Sequence, residues 1–414
     1  MITDLPRLLI VSELTLSFSK KGQSANPTLF NLFENYPPEL LLQFTPTIYL
    51  NNTPPAPPFQ NRAISFNNQY LSSLNNRLGK LINPFSSALN LQLLDLLPIA
   101  NHKAIKEFDP EVILVCPITP DCLIVGKNLT QLFNCPFIIY FMDDWIAVNT
   151  YKWLSGTVQS IAKELLQESD GWLMISEQLQ KELSNRYQFA PKQSMIVHNP
   201  VDLSAKDSLN LENNHTGTFT VAYAGSIQVM HYDALAAVAE AIFQLRLEGK
   251  DIELVLYTSE VFWKCYEKTW RNWDVKYSSL IPYQELNQYL NKADLLLVAT
   301  SFLPEYAHVV RSSVLTKLTD YMMAGRPILS CGPDYSACNQ FINQWGCGLV
   351  CETNNIKFIK YFLQEQIQKR TSNQKLALKA IEALKNNFEK KYIHSQLYNF
   401  ISKLSKNYSN KNHL

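Results

Sequence analysis

Glycine is scarce here, 12 in 414 residues. None is spaced as G-x-G-x-x-G behind a first strand, the fingerprint an NAD-dependent oxidoreductase needs to bring its backbone against a pyrophosphate. Charge of one sign is also lacking. The 37 basic and 36 acidic side chains leave a net charge of +1 with no long run of either sign. Nucleic acid as a partner has no electrostatic footprint in such a chain. No apolar run approaches the ~18 residues that span a bilayer. The opening MITDLPRLLIVSE has one Arg and a short apolar run, the pattern of a first strand rather than of a signal peptide. The 8 cysteines, at 116, 122, 135, 265, 331, 338, 347 and 351, contain no C-x-x-C pair, and the 7 histidines show no metal-ligand spacing. Neither a disulfide framework nor a zinc site follows from them. Thiols set in apolar segments are the habit of a reducing compartment, so the expected location is cytoplasmic. No repeat of solenoid period occurs.

What is present is a well-packed globular composition, 46% hydrophobic and 18% charged. The length exceeds one ordinary core and divides best into two domains. Apolar, β-branched runs alternate with helical patterns. Strands are expected at 8–12, 40–44, 112–116, 137–142 and 172–176, and again at 219–225, 252–258, 275–281, 295–299 and 327–331. Helices are expected at 150–168 and behind Ser176, then at 233–249 and 282–293. Continuous apolar strands separated by helices mean parallel sheets covered on both faces. The expected fold class is therefore α/β, two Rossmann-like parallel-sheet domains facing a cleft. The domains are placed at 1–200 and 219–384, joined by a polar Asn/Ser/Asp-rich linker at 201–218. Residues 385–414 are expected to form a C-terminal helix packing back on the first domain, with a polar tail. Residues 51–110 carry no clear pattern.

The most informative stretch is SSVLTKLTDYMMAGRPILSCG, 312–332. It predicts one helix, capped by Ser312 or Ser313 and stopped at Gly325 before Pro327, then a buried strand. Val314, Leu318, Tyr321 and Met322 share one face at helical spacing. Lys317 and Asp320 take the other face, with Arg311 just before the cap. A positive helix end with two cations invites an anion, and in an α/β protein that anion is commonly a phosphate.

Ligands of open parallel sheets bind beyond the carboxyl ends of the strands. Lys20, Lys21 and Gly22 follow the first strand, ahead of a helix capped by Asn26 with Pro27 at its first position. Asp143 and Asp144 follow FIIYFM. Gly225, Ser226, Gln228 and His231 follow FTVAYA, and Thr300 and Ser301 follow LLLVA. A sugar nucleotide fits that layout, with diphosphate at a helix start and an acceptor on the other domain.

In its motifs VAYAGSI (221–227), SDGWLMIS…VHNPVD (169–202), ADLLLVATS (293–301) and, above all, TKLTDYMMAGRPILSCGP (316–333), the chain resembles the GT-B glycosyltransferases. It is most similar to the family 4-like retaining enzymes. The resemblance runs over nearly the whole chain and is weakest across 51–110. It implies a sugar moved from a nucleoside-diphosphate donor to an acceptor hydroxyl of a glycan or lipid-linked acceptor, in glycan or glycolipid biosynthesis. It also implies that Lys317 contacts the donor diphosphate and Asp320 takes the place of a glutamate that holds the ribose hydroxyls. Gly225 and Ser226 would lie under the diphosphate, Gly22 would line the cleft from the N-terminal side, and Asp143 would approach the transferred sugar or the acceptor. The leaving phosphate would help deprotonate the acceptor, so neither a metal, a cofactor nor a protein nucleophile is implied. A lipid-linked acceptor would bring peripheral contact with the inner face of a membrane.

The chain departs from the pattern in two places. Two glutamates eight positions apart are replaced by Ser312 and Asp320. The basic residues common after the VAYAG strand are absent, with Ser226 where an Arg would be and Arg311 as a candidate substitute. Blander readings stand beside each role. Lys317 can be a surface lysine, Asp320 its i, i+3 partner, Asp143 a capping carboxylate and Gly22 a turn residue. His231 reads as a helix-start residue and His198 as a linker residue. Two functions compete with transfer: a nucleotide-sugar epimerase of similar architecture, and a non-catalytic GT-B-like binding protein.

Overall fold

The computed structural model describes residues 4–17, 28–71, 79–96, 102–147, 155–203, 217–282, 285–315 and 317–412. The chain divides into two compact units, one of residues 1–200 with 390–414 and one of residues 201–389.

The first unit is a parallel sheet of β1 (Leu8–Ser12), β2 (Leu41–Pro46), β3 (Ala63–Phe66), β4 (Val112–Cys116), β5 (Phe137–Phe141), β6 (Gly171–Met174) and β7 (Ser194–Ile196). Its spatial order is β3-β2-β1-β4-β5-β6-β7. Leu8 to Ser12 run beside Val112 to Cys116 in register, so β1 and β4 are neighbours at the centre. The central strands β1, β4, β5 and β6 are buried along their whole length and almost wholly apolar because both faces are covered. Leu9, Val11, Ile113 and Val115 enter one core with the Pro120–Leu132 and Ser155–Glu168 helices, whereas Leu8, Ile10, Val112 and Leu114 enter the other.

That second face is closed by the Lys390–Asn412 helix through Ile393, Leu397, Tyr398, Ile401 and Leu404. Its docking is fixed by polar contacts as well: Tyr398 Oη donates to the Leu32 carbonyl at 3.1 Å, and His394 Nε2 lies 2.6 Å from that of Asn31. The helix runs to Asn412, so it takes in the expected polar tail.

The second unit repeats the plan with β8 (Phe219–Ala224), β9 (Ile252–Tyr257), β10 (Lys276–Ser278), β11 (Leu295–Ala299), β12 (Ile328–Cys331) and β13 (Leu349–Cys351), ordered β10-β9-β8-β11-β12-β13. The Val229–Leu247 and Ile356–Gln368 helices cover the face of Val221, Tyr223, Leu295 and Leu297. The Lys317–Met323, Ala337–Trp345 and Gln374–Phe388 helices cover the face of Ala222, Ala224, Leu296 and Val298. Phe388 closes that core, which is why the second unit extends to 389 rather than 384, and the Val201 amide donates to the Phe388 carbonyl at 2.8 Å. At the amino ends of β8 and β11, the buried Asp294 is gripped by Arg370 at 2.7 and 2.8 Å and accepts from the Thr220 amide at 2.8 Å.

The helix expected from Ser312 to Gly325 is two helices. One is Ala307–Ser312, the other Lys317–Met323, with Ser313 extended between them. Ser312 is buried and its hydroxyl donates back to the His308 carbonyl at 2.8 Å, so it belongs to the end of the first helix. Gly325 stops the second helix in the left-handed region at φ 66°.

Gly171, the first residue of β6, leaves room for the C-terminal helix. A Cβ there would stand 2.8 Å from Phe400 and 2.9 Å from Leu404. Gly171→Ala is expected to push that helix outward and to cost about 1–3 kcal/mol. A melting midpoint lower by several degrees, with the second unit's ligand response intact, is the outcome to look for in thermal denaturation.

Candidate functional site

In the second unit the chain steps outward from β8 to β9 and β10, and from β11 to β12 and β13. The connections leave the neighbours β8 and β11 toward opposite faces, which opens a crevice beyond their carboxyl ends. Gly225 and Ser226 leave β8 there, and Thr300 and Ser301 leave β11. Gly225 turns at φ 110°, a conformation side chains resist, and beyond its chain neighbours no atom of the described residues lies within 4 Å of where a Cβ would stand.

The two loops are tied together. The Ser301 amide donates to the Met230 carbonyl at 2.9 Å, and the Phe302 amide to Asp233 Oδ2 at 2.8 Å. The first turn of the Val229–Leu247 helix thereby fixes the loop after β11. Gly332, beyond β12, packs against Thr300 so closely that a Cβ would come within 1.8 Å of its Oγ1.

Tyr223, fully buried near the end of β8, gathers the polar groups of this edge. Its hydroxyl donates to the Ser226 carbonyl at 2.7 Å and accepts from Lys317 Nζ. The ammonium also lies 3.9 Å from the centre of the Tyr223 ring. His231 Nδ1 lies 3.3 Å from the same hydroxyl and accepts from the Gln228 amide at 3.3 Å, closing a capping box on the Val229–Leu247 helix. Tyr321, on the Lys317 helix, accepts from the Ala224 amide at 2.8 Å.

Enclosure sets the charges. Burial lowers the Lys317 amine to about 7, against partial support from Cys338 and Asp320. Burial, aided by the Lys317 charge, lowers His231 to about 3, so its imidazole is neutral at physiological pH. Burial pushes the Tyr223 phenol well up, and it stays protonated. Among the described residues the edge therefore offers the Lys317 amine as its cation, one that an arriving anion would strengthen.

Gly225, Ser226, Lys317 and Asp320 thus come to one edge of one sheet. Asp320 lies half-buried in the first turn of the Lys317–Met323 helix. Arg311 does not precede a helix start as expected. It lies exposed in the last turn of Ala307–Ser312, its guanidinium 4.7 Å from the centre of the Tyr335 ring.

In the first unit, Asp143 follows β5 and is exposed. Asp144 is buried and bound through both oxygens by Arg186, one bond at 2.9 Å, so it is a structural carboxylate. Gly22, with Lys20, Lys21, Asn26 and Pro27, lies outside the described residues. His198 follows β7, where burial lowers it to about 4. Among the described residues, no cluster of three or more His, Cys, Asp or Glu side chains could hold a metal ion.

Glu13, which sequence reasoning passed over, occupies the equivalent switch point between β1 and β4. Its buried carboxylate accepts from the Ile118 amide at 2.9 Å, the Thr119 amide at 3.2 Å, the Thr119 hydroxyl and the Cys122 amide at 3.3 Å. It satisfies the start of the Pro120–Leu132 helix from outside it. Burial raises its pKa. Tyr223 was missed as well; the available signals were a tyrosine inside an otherwise apolar strand and a glutamate directly after one.

No family model matches the chain, and no curated protein matches it. Solved structures do. HepE of Anabaena, in complex with UDP, is 13% identical and superposes with a TM-score of 0.66, covering 96% of this chain and 100% of that one. Sucrose-phosphate synthase of Thermosynechococcus elongatus is 15% identical with a TM-score of 0.66, over 96% and 98%. A glycosyltransferase of Rickettsia africae is 10% identical with a TM-score of 0.61, over 98% and 100%. HepE is also solved with UDP-glucose. At such identities the likeness is one of fold, and the fold of this chain is the two-unit, parallel-sheet α/β architecture of GT-B glycosyltransferase structures.

Proposed function

We propose that the chain is a glycosyltransferase that moves a sugar from a nucleoside-diphosphate donor to an acceptor hydroxyl. The observation that carries this reading is the half-buried Lys317, whose amine is linked through the Tyr223 hydroxyl to the Ser226 carbonyl, at the switch point of a fold that HepE uses with UDP and UDP-glucose. Lys317 is assigned to the diphosphate, with Gly225 and Ser226 beneath it. Asp320 is assigned to the ribose hydroxyls and Arg311 to an outer contact with the donor. The first unit is assigned to the acceptor, with Asp143 and Gly22 on that side.

Charge builds on the diphosphate as the sugar leaves. An ammonium held in an enclosed site stabilises that charge without reorganising, the main term such a reaction asks of the protein. With that charge met by Lys317, the reaction is proposed to be metal-independent and retaining, the leaving phosphate taking the acceptor proton. A glycan or lipid-linked acceptor and a cytoplasmic setting complete the proposal. No helix among the described residues is long and apolar enough to cross a membrane. A non-catalytic binding protein is the second reading, favoured by Ser312, whose hydroxyl donates to the His308 carbonyl at a position where the resemblance implies a glutamate.

A thermal-shift panel of UDP, GDP, ADP and CDP sugars tests the donor. One nucleotide at a hundredfold over its Kd should add about 2.7 kcal/mol and raise the midpoint by several degrees. Lys317→Ala should abolish that response. Silence across the panel would sink the proposal, and binding without transfer or hydrolysis would favour the second reading.

The Lys317 amine fixes a pH dependence. Below about 7 it is charged, so donor affinity should be flat there. Above that point affinity should fall, approaching tenfold per pH unit, as the free protein loses the proton the complex needs. Titration calorimetry between pH 6 and 9 would read it.

Stability runs the other way. The folded pKa lies below the unfolded value, so the unfolded chain binds more protons between about 7 and 10.5. The cost of the buried cation is full below pH 7 and is relieved as pH rises through that window. Lys317→Met is therefore expected to melt a few degrees above the parent at pH 6, with the gap closing toward pH 10.

A further inference from the structure

We infer that Tyr223 is a positioning residue for the donor site: its hydroxyl fastens the Lys317 ammonium to the Ser226 backbone, so that one oxygen sets the spacing of both diphosphate contacts. The inference rests on the donor reading of the site and names the group that holds the site in shape.

The bonding around that oxygen has one solution. A carbonyl only accepts, so the phenol proton is committed to Ser226 at 2.7 Å. An ammonium only donates, so the bond from Lys317 uses a phenol lone pair. The Gln228 amide only donates, which occupies the lone pair of His231 Nδ1 and places the ring proton on Nε2. Nδ1 therefore has no proton to give the phenol, and at 3.3 Å it is a neighbour rather than a competitor. Nε2 is buried with no hydrogen-bond partner among the described residues, and the ring is held by its cap and against the Ser226 backbone. A buried phenol cannot turn toward water, and the Tyr223 ring is fully enclosed.

The groups facing the amine come from three directions. Asp320 is on its own helix, Cys338 comes from the helix after β12, and Tyr223 and His231 come from β8 and the helix that follows it. Of these, Tyr223 bonds the amine and the loop at once. Without it the amine has no anchor to the strand, and the lysine stem, with its several rotors, must be ordered when the diphosphate arrives. One ammonium proton goes to Tyr223, which leaves the others for phosphate oxygens.

Tyr223→Phe keeps the ring and its contact with the cation but deletes the oxygen. Affinity for the nucleoside diphosphate that stabilises the parent protein should weaken about ten- to a hundredfold, the range for a bond to a charged group. The alkaline limb of binding should also move to lower pH, because a less supported amine sheds its proton sooner. A change in packing alone would lower the melting midpoint and leave that limb in place. The variant is compared with Lys317→Ala: if Lys317→Ala leaves binding intact, the donor reading itself fails. If Lys317→Ala abolishes binding while Tyr223→Phe matches the parent in affinity and pH limb, only the positioning role is overturned. Should Tyr223→Phe not fold, Tyr223→Phe with Lys317→Met decides. A folded double variant shows that the stranded ammonium was the fault and supports the role, whereas an unfolded one assigns the hydroxyl to the fold and overturns it.

Discussion

An amine enclosed at the end of β8 is the constraint on which the functional reading depends. Water solvates an ammonium better than a protein interior does, and here the difference brings Lys317 to about 7. Such a group is costly in the empty protein and most useful when an anion restores its charge. Everything within reach is arranged to hold the amine without neutralising it. Tyr223 gives a lone pair but keeps its proton, and the His231 ring is neutral. Asp320 and Cys338 support the charge only in part.

The two units share a strand order around the switch point and use it in opposite ways. Between β1 and β4, the Glu13 carboxylate fills the start of the next helix and takes the donors that an external anion would need. Between β8 and β11, the chain supplies a cation and an unobstructed glycine turn. One edge is closed by an internal carboxyl group, and the other is left with a basic side chain to satisfy. Topology alone does not separate them, because both sheets place helix starts and loops beyond the same ends of their strands. The side chains do, and they are why the proposed function gives the diphosphate to the second unit.

Central strands were legible in the sequence because a parallel strand covered on both faces must be apolar throughout, and LLIVS, VILVC, FIIYF and LLLVA are. Edge strands were not. AISF, SMI and LVC are short, half-covered and indistinguishable from loop by composition, so β3, β7 and β13 emerged only in the structure. The expected strand at 275–281 shrinks to Lys276–Ser278 for the same reason. Lys317, Asp320, Gly225 and Ser226 could be picked out because charge and glycine are sparse around them. Tyr223 and Glu13 could not, because each acts through partners remote in sequence, Tyr223 on Lys317 and Glu13 on the Ile118 to Cys122 turn.

The expected single helix over 312–325 is interrupted at Ser313, and the interruption bears on the chemistry. The Ser312 hydroxyl donates back into its own helix, Ser313 is extended, and the next helix starts at Lys317. Arg311 then sits at the carboxyl end of the earlier helix, where a cation is favoured by the dipole, and it spends its flat face on Tyr335. The second cation that a continuous helix would have set beside Lys317 is thus stacked on Tyr335, which leaves it the proposed outer contact with the donor rather than a place beside the amine. A diphosphate at this edge would meet one ammonium of tunable charge in place of two fixed ones. Its binding would follow the protonation of that amine closely, which makes the groups that support the amine, Tyr223 first among them, as consequential as the amine itself.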